Sequence, residues 1–342
     1  MFKRIKVLLS MMLVLALILG MTACKTGKTD KETNDIEQTE DVTNSDESRE
    51  AILAGMASML LENTPQPSYG SVGGEWLAFG LSRWGGKVPQ EWYDNYYEAV
   101  ETYVKECEGV LDDRKYTEYS RVIIALTSIG KNPMDVGGYD LLTPLADYEQ
   151  TIFQGVNGAV YALLALDIGN YNIPENVTEN TQATRELYVD CILDAELENG
   201  GWSLAGGEPE ADMTAMVLQA LSKYQDRQDV AEATERALQV LSELQNENGG
   251  YTAYDVESSE SIAQVIVALT ELGISLEDPR FVKDGYTLED RLLDFMADDY
   301  GFKHVLDGES DMIATEQAFY ALVSLELTEN GMSSLYRLRP IV

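Results

Sequence analysis

Three observations predict that this chain is all-α and folds as an α6/α6 toroid, a ring of inner helices inside a ring of outer ones. The first is a small residue followed by Leu at the end of an apolar run. It recurs at Gly80-Leu81, Ala125-Leu126, Ala165-Leu166, Ala220-Leu221, Ala268-Leu269 and Ala321-Leu322, at intervals of 45, 40, 55, 48 and 53 residues. A near-fixed period of this size marks a repeated supersecondary unit. The second is that the helical segments are of two kinds. Runs such as 213–221 and 262–269 are apolar nearly all round, as helices buried on most sides are, whereas 96–111 and 230–246 each carry a single apolar stripe. The third is composition: 342 residues, 45% hydrophobic, suffice for a large core. Closing the ring buries the inner helices on every side. The alternative, an open solenoid, exposes two ends that need polar caps.

From the N-terminus, residues 1–24 read as a bacterial lipoprotein signal. Lys3, Arg4 and Lys6 precede an apolar run over 7–19, too short to span a membrane but right for a signal core. Met21-Thr22-Ala23-Cys24 then resembles a lipobox, with Met where Leu is usual. This predicts lipidation at Cys24 and an address on the extracytoplasmic face of the cell membrane. Residues 25–50 hold 4 basic and 9 acidic residues and no aromatics. Such a segment buries too little to offset its ordering entropy and reads as a disordered acidic tether. The toroid is expected over 51–342. Its outer helices fall near 50–62, 91–110, 141–150, 184–197, 230–246 and 287–298, the third weakened by Pro144. Its inner helices fall near 74–84, 117–129, 152–167, 211–224, 259–272 and 313–326. Gly-Gly-aromatic loops join outer to inner helices, as at Gly200-Gly201-Trp202 and Gly249-Gly250-Tyr251.

Charge and cysteine content exclude several functions. With 24 basic and 59 acidic residues the chain carries a net charge of −35. Nucleic acid is an improbable partner, because phosphate neutralisation needs Lys and Arg. One histidine and three cysteines do not make a Cys/His zinc cluster or a disulfide framework. No metal and no cofactor are expected, and the chain is taken as a monomer. Cys107 and Cys191 fall on the apolar stripes of outer helices and read as small buried hydrophobes. His304 follows Gly301-Phe302-Lys303 in a loop, with no serine or cysteine motif beside it, and reads as a loop residue rather than a general base.

The repeats carry a resemblance. The segment 245–251, a Gln, three residues, Gly, one residue and an aromatic, resembles the QW motif of squalene cyclases; 196–202 is a degenerate copy with Glu for Gln. Asp212-Met213-Thr214-Ala215 and the apolar helix after it resemble inner helices of the terpenoid cyclase and protein prenyltransferase superfamily. Segments 69–76 and 200–204 resemble surface lipoproteins of Firmicutes with prenyltransferase/squalene-oxidase-type repeats. The resemblance implies an α6/α6 toroid whose cavity opens at the rim where the inner helices begin. It does not carry over the best-known chemistries. Squalene–hopene cyclases use D-x-D-D, and here Ala297-Asp298-Asp299 and Leu111-Asp112-Asp113 lack the first Asp. The Asp, Cys and His zinc ligands of prenyltransferases also have no counterpart.

On that rim the candidate ligand-binding residues are Glu75, Trp76, Glu118, Tyr119, Gln154, Asn157, Asp212, Glu260, Gln264, Glu316 and Gln317, with Trp202 and Tyr251 in the approaching loops. Acids and amides beside aromatics suit a polyhydroxylated or amide-bearing ligand. The bland alternative is structural: acids in a first turn complement the helix dipole, and QW aromatics pack repeats together. Three functions stay open. The first is a membrane-tethered, non-catalytic protein binding a small ligand or surface glycan. The second is a carbohydrate-active enzyme using paired carboxylates among Asp212, Glu260 and Glu316. The third is an adhesive or structural surface module.

Overall fold

Each inner helix of the computed structural model touches the next, and the last touches the first. The structure describes residues 48–253, 256–332 and 334–338. The inner set is α2 (Trp76–Trp84), α4 (Thr117–Ser128), α6 (Val156–Ile168), α8 (Ala211–Leu221), α10 (Ser259–Leu272) and α12 (Met312–Glu329). The contacts run α2–α4–α6–α8–α10–α12 and back to α2, so the ring is closed and the open solenoid is excluded. The outer set is α1 (Arg49–Asn63), α3 (Gln90–Glu106), α5 (Tyr148–Thr151), α7 (Arg185–Asp194), α9 (Gln228–Leu244) and α11 (Leu288–Leu293). Each outer helix returns the chain between two inner ones, so the inner helices run the same way and begin at one rim.

The two burial classes hold. In α10 the run Val265 to Glu271 is buried without a break, whereas the stripe of α3 is Trp92, Tyr96, Val100 and Val104. The third outer helix shrinks to a turn at Thr143–Ala146 and one turn at Tyr148–Thr151. Pro144 lacks the N–H that a longer helix would need there. The inner helix expected over 152–167 starts at Val156, because Gly155 takes φ 66°, ψ −145° and breaks it from the turn before. The last outer helix, expected to 298, ends at Leu293. Helix α1 begins at Arg49, inside the segment expected as tether. Ser48 Oγ accepts from Ala51 N at 3.3 Å, and Arg49 bridges to Glu289 and Glu329, both at 2.5 Å. The signal and all but the end of the tether lie outside the described residues.

The repeat is visible as a repeated hydrogen bond. At the outer-to-inner loops, Leu197 N donates to Gly201 O, Asn246 N to Gly250 O and Ala297 N to Gly301 O, at 3.0, 2.8 and 2.8 Å. The residue before the second glycine is left-handed each time: Gly200 at φ 87°, Gly249 at 89° and Tyr300 at 64°. The aromatic that follows, Trp202, Tyr251 or Phe302, is buried between the helical layers. Thr214 Oγ1 accepts from Trp202 N at 3.0 Å, and Thr315 Oγ1 from Phe302 N at 2.8 Å. Among the described residues the helices are interrupted by two short hairpins, Thr252–Ala253 with Val256–Glu257 and Phe302–Lys303 with Ser310–Asp311, in the loops before α10 and α12, and by isolated β-bridges.

Candidate functional site

A cavity of about 170 Å³ lies on the axis of the inner ring. Its lining follows helical spacing. Asp212, Met216 and Gln219 stand at i, i+4 and i+7 on α8; Glu260 and Gln264 on α10, Gln317 and Tyr320 on α12, and Tyr161 and Leu164 on α6 follow the same steps. Such spacing sets residues above one another on one helix face. The result is three tiers. Trp76, Asp212 and Glu260 form the rim; Tyr161, Met216, Gln264 and Gln317 the middle; Leu164, Gln219, Tyr320 and Tyr336 the floor. Rim and middle side chains are partly exposed, whereas Leu164, Gln219, Tyr320 and Tyr336 are buried.

The wall is a chain of amides. Gln219 Nε2 donates to Gln264 Oε1 at 2.9 Å, and Gln264 Nε2 donates to Gln317 Oε1 at 2.7 Å and to the Tyr320 hydroxyl at 2.5 Å. Among the described residues Gln317 Nε2 has no partner, so a donor remains for a ligand. Rings stand beside the amides: Trp76 lies 6.0 Å from Tyr161 and 6.2 Å from Tyr320, centroid to centroid.

Two carboxyls stand at the rim. Burial pushes Asp212 up from the ordinary carboxylate range; the charge of Glu210 pushes the same way, while Ser261 and His304 oppose it. Its Oδ1 is buried with no hydrogen-bond partner. Burial also raises Glu260, against the pull of His304, whose Nδ1 lies 2.9 Å from both Glu260 oxygens. The second hairpin makes this contact: Ser259 Oγ donates to Lys303 O at 2.7 Å, which sets the next residue over Glu260. His304 is thus the loop residue the sequence predicts, and it also touches a rim acid.

The other candidates serve the frame. Glu75 and Glu316 are buried beneath the loop before α2, outside the cavity lining. Gly70 N donates to Glu75 Oε1 at 3.0 Å and Gly73 N to Glu316 Oε1 at 2.7 Å. Gly73 is left-handed at φ 68°, and a Cβ on Gly74 would meet Ser68 O at 2.3 Å, so only glycines let the loop close over these acids. Arg121 Nε pairs with Glu75 at 2.9 Å and Nη2 with Glu118 at 2.6 Å. Burial still raises Glu75 overall, and it lifts Glu316 to about 8, helped by the charges of Glu75 and Asp311.

Five further candidates lie outside the cavity lining. Trp202 and Tyr251 do not reach the cavity; they are core, and Trp202 Nε1 donates to Ile192 O at 2.7 Å. Tyr119 is buried with its hydroxyl accepting from Leu111 N at 3.0 Å. Gln154 ties α4 to the turn before α6, accepting from Thr117 Oγ1 at 3.1 Å. Asn157 is half-buried and does not line the cavity. Cys107 and Cys191 pack against the core as the sequence predicts, but are half-buried rather than buried. Among the described residues no three His, Cys, Asp or Glu side chains form a group able to hold a metal. Sequence reasoning missed Tyr161, Met216, Gln219 and Tyr320, although each stands i+4 or i+7 from a predicted rim residue (Asn157, Asp212 or Glu316); nothing in the sequence points to Tyr336.

Residues 175–302 match the family model of the squalene-hopene cyclase C-terminal domain. With the closed double ring, this agrees with an α/α-toroid architecture for the chain. Two solved structures are similar. One, described as UGL with dGlcA-Glc-Rha-Glc, has a TM-score of 0.53 at 13% identity over 85% of this chain and 98% of that one. The other, unsaturated glucuronyl hydrolase of Bacillus sp. GL1, responsible for the degradation of glycosaminoglycan, has a TM-score of 0.50 at 13% identity over the same shares. No curated protein sequence matches the chain.

Proposed function

We propose that this protein holds a carbohydrate by one six-membered ring in the axial cavity. The observation that carries the reading is a ring-sized volume with a mixed lining. A cavity of about 150 Å³ is enough for benzene, and this one, at about 170 Å³, is lined by three amides beside Trp76, Tyr161 and Tyr320. Aromatic faces take the apolar faces of a sugar, and amides take its hydroxyls. The similar fold described with a saccharide supports the same ligand class. The test is a melting panel of glycosides of glucose, N-acetylglucosamine, rhamnose and glucuronate. A sugar at about 100 times its Kd adds roughly 2.7 kcal/mol, a clear rise in Tm. No rise with any of them contradicts the reading.

In the same reading the protein is a lipoprotein, anchored through Cys24 outside the cell membrane and lifted off it by the acidic segment after it. Cys24→Ala is then expected to move the protein from the membrane fraction to the soluble one.

A second reading, that the bound sugar is also cleaved, is favoured by Asp212. A carboxyl with a buried, unpaired oxygen and a raised pKa is suited to giving a proton to a leaving oxygen, and Glu260 would be the second carboxylate. Turnover of 4-nitrophenyl glycosides or of unsaturated glucuronyl disaccharides, lost in Asp212→Asn, supports it; equal rates in the variant contradict it.

A further inference from the structure

We infer that the chain's last described segment, 334–338, is a built-in floor that makes the cavity blind, so that the site takes the terminal ring of a glycan and not an internal one. The inference rests on the carbohydrate reading and adds which part of the chain is bound. Tyr336 carries the argument. It lies beyond the last helix, yet it is buried, stacks on Phe79 at 5.1 Å and lines the axial cavity. On its other side is a small polar pocket of about 10 Å³, which shares Leu164, Gln219 and Tyr336 with the cavity. These three side chains are therefore a partition between two spaces, and Tyr336 is the part of it not supplied by the ring of helices.

The segment is held by several hydrogen bonds. Two charged side chains of the inner helices bind it. Arg83 Nε donates to Leu335 O and its Nη2 to Ser334 O, both at 2.9 Å. Glu271, 5% exposed, accepts from Ser334 Oγ at 2.7 Å and from Tyr336 N at 3.1 Å. Burying a carboxylate is costly unless hydrogen bonds and an opposite charge compensate it. Here that carboxylate, at the far end of α10 from the rim, fixes a short peptide so that one ring crosses the axis. With the far end closed, an internal sugar has no path for the chain that continues beyond it. The ring that enters must end there.

The test uses the native protein, Tyr336→Ala and Tyr336→Leu, the last in case the first does not fold, with Tyr336→Phe as the variant that keeps the floor. The probes are the glycosides of the melting panel in two blocked forms, one with a benzyl ether on O4 and one with a bulky aromatic aglycone. In the native protein one blocked form is expected to bind at least tenfold more weakly than the free glycoside, and the other to bind as well as it does. Tyr336→Ala or Tyr336→Leu is expected to recover the lost binding, and Tyr336→Phe is not. If both blocked forms bind the native protein as well as the free glycoside, or if the smaller side chains recover nothing, the floor is overturned while the carbohydrate reading stands. If no glycoside binds the native protein, both fall.

Discussion

Glu316 and Trp202, from two copies of the repeat, show how differently buried residues of this ring behave. Glu316 is buried, and its carboxyl is lifted from 4.5 to about 8. A folded-state pKa above the unfolded one means the folded chain holds more protons between these values. Stability is then full below about pH 4.5 and falls as pH rises towards 8, by at most about 1.4 kcal/mol per pH unit. Glu316→Gln keeps an acceptor for Gly73 N and removes the ionisation, so its melting temperature is expected to vary less between pH 5 and 8. An unchanged slope contradicts the assignment. Trp202→Ala is expected to destabilise by about 3–5 kcal/mol, as truncations of fully buried aromatics do, whereas Trp76→Ala, at the partly exposed rim, lowers stability less and weakens sugar binding. Chemical denaturation with paired titrations separates the two. Both Trp76 and Trp202 are candidates from the sequence, where each reads as an aromatic near a rim. The difference is decided by burial: Trp202 is enclosed, with its Nε1 bonded to Ile192 O of α7, whereas Trp76 stays partly exposed at the cavity.

At the scale of elements, the long helices were legible and the short ones were not. Helices α4, α10 and α12 start and stop within a few residues of the expected bounds because their apolar runs are long, and Ser258 and Asp311 cap the starts of α10 and α12. Helix α11 is six residues long and depends on its start. Thr287 Oγ1 accepts from Asp290 N at 3.2 Å while Asp290 Oδ2 accepts from Thr287 N at 2.9 Å, a reciprocal cap. Thr287→Ala is expected to cost about 1 kcal/mol, with faster amide exchange confined to α11 and the loop before it. A loss spread evenly over the ring would mean that α11 is held by packing alone. The cavity was half legible for a related reason. The sequence marks polar residues at the rim, where they interrupt an apolar pattern, but the floor is made by Gln219 and Tyr320 inside apolar runs and by Tyr336 outside any repeat.

For the whole molecule, closure of the ring is what brings side chains from five inner helices into one site. Helices α2 and α12, more than 200 residues apart in sequence, must meet before Trp76 faces Gln317 and Tyr320. The net charge of −35 acts against that compact state. The melting temperature is therefore expected to rise as salt goes from low to physiological ionic strength, where the screening length falls from about 30 to about 8 Å; a fall would mean that ion pairs such as Arg49–Glu289 outweigh the repulsion. The measurement that tests the central claim most directly is a calorimetric titration of the best sugar of the melting panel into the native protein, Gln264→Leu and Gln154→Leu. Gln264 is the middle of the amide chain in the cavity, and Gln154 lies outside it. Native binding that is retained in Gln154→Leu and lost at least tenfold in Gln264→Leu is the expected result. Equal binding in all three proteins would put the ligand elsewhere and contradict the axial site.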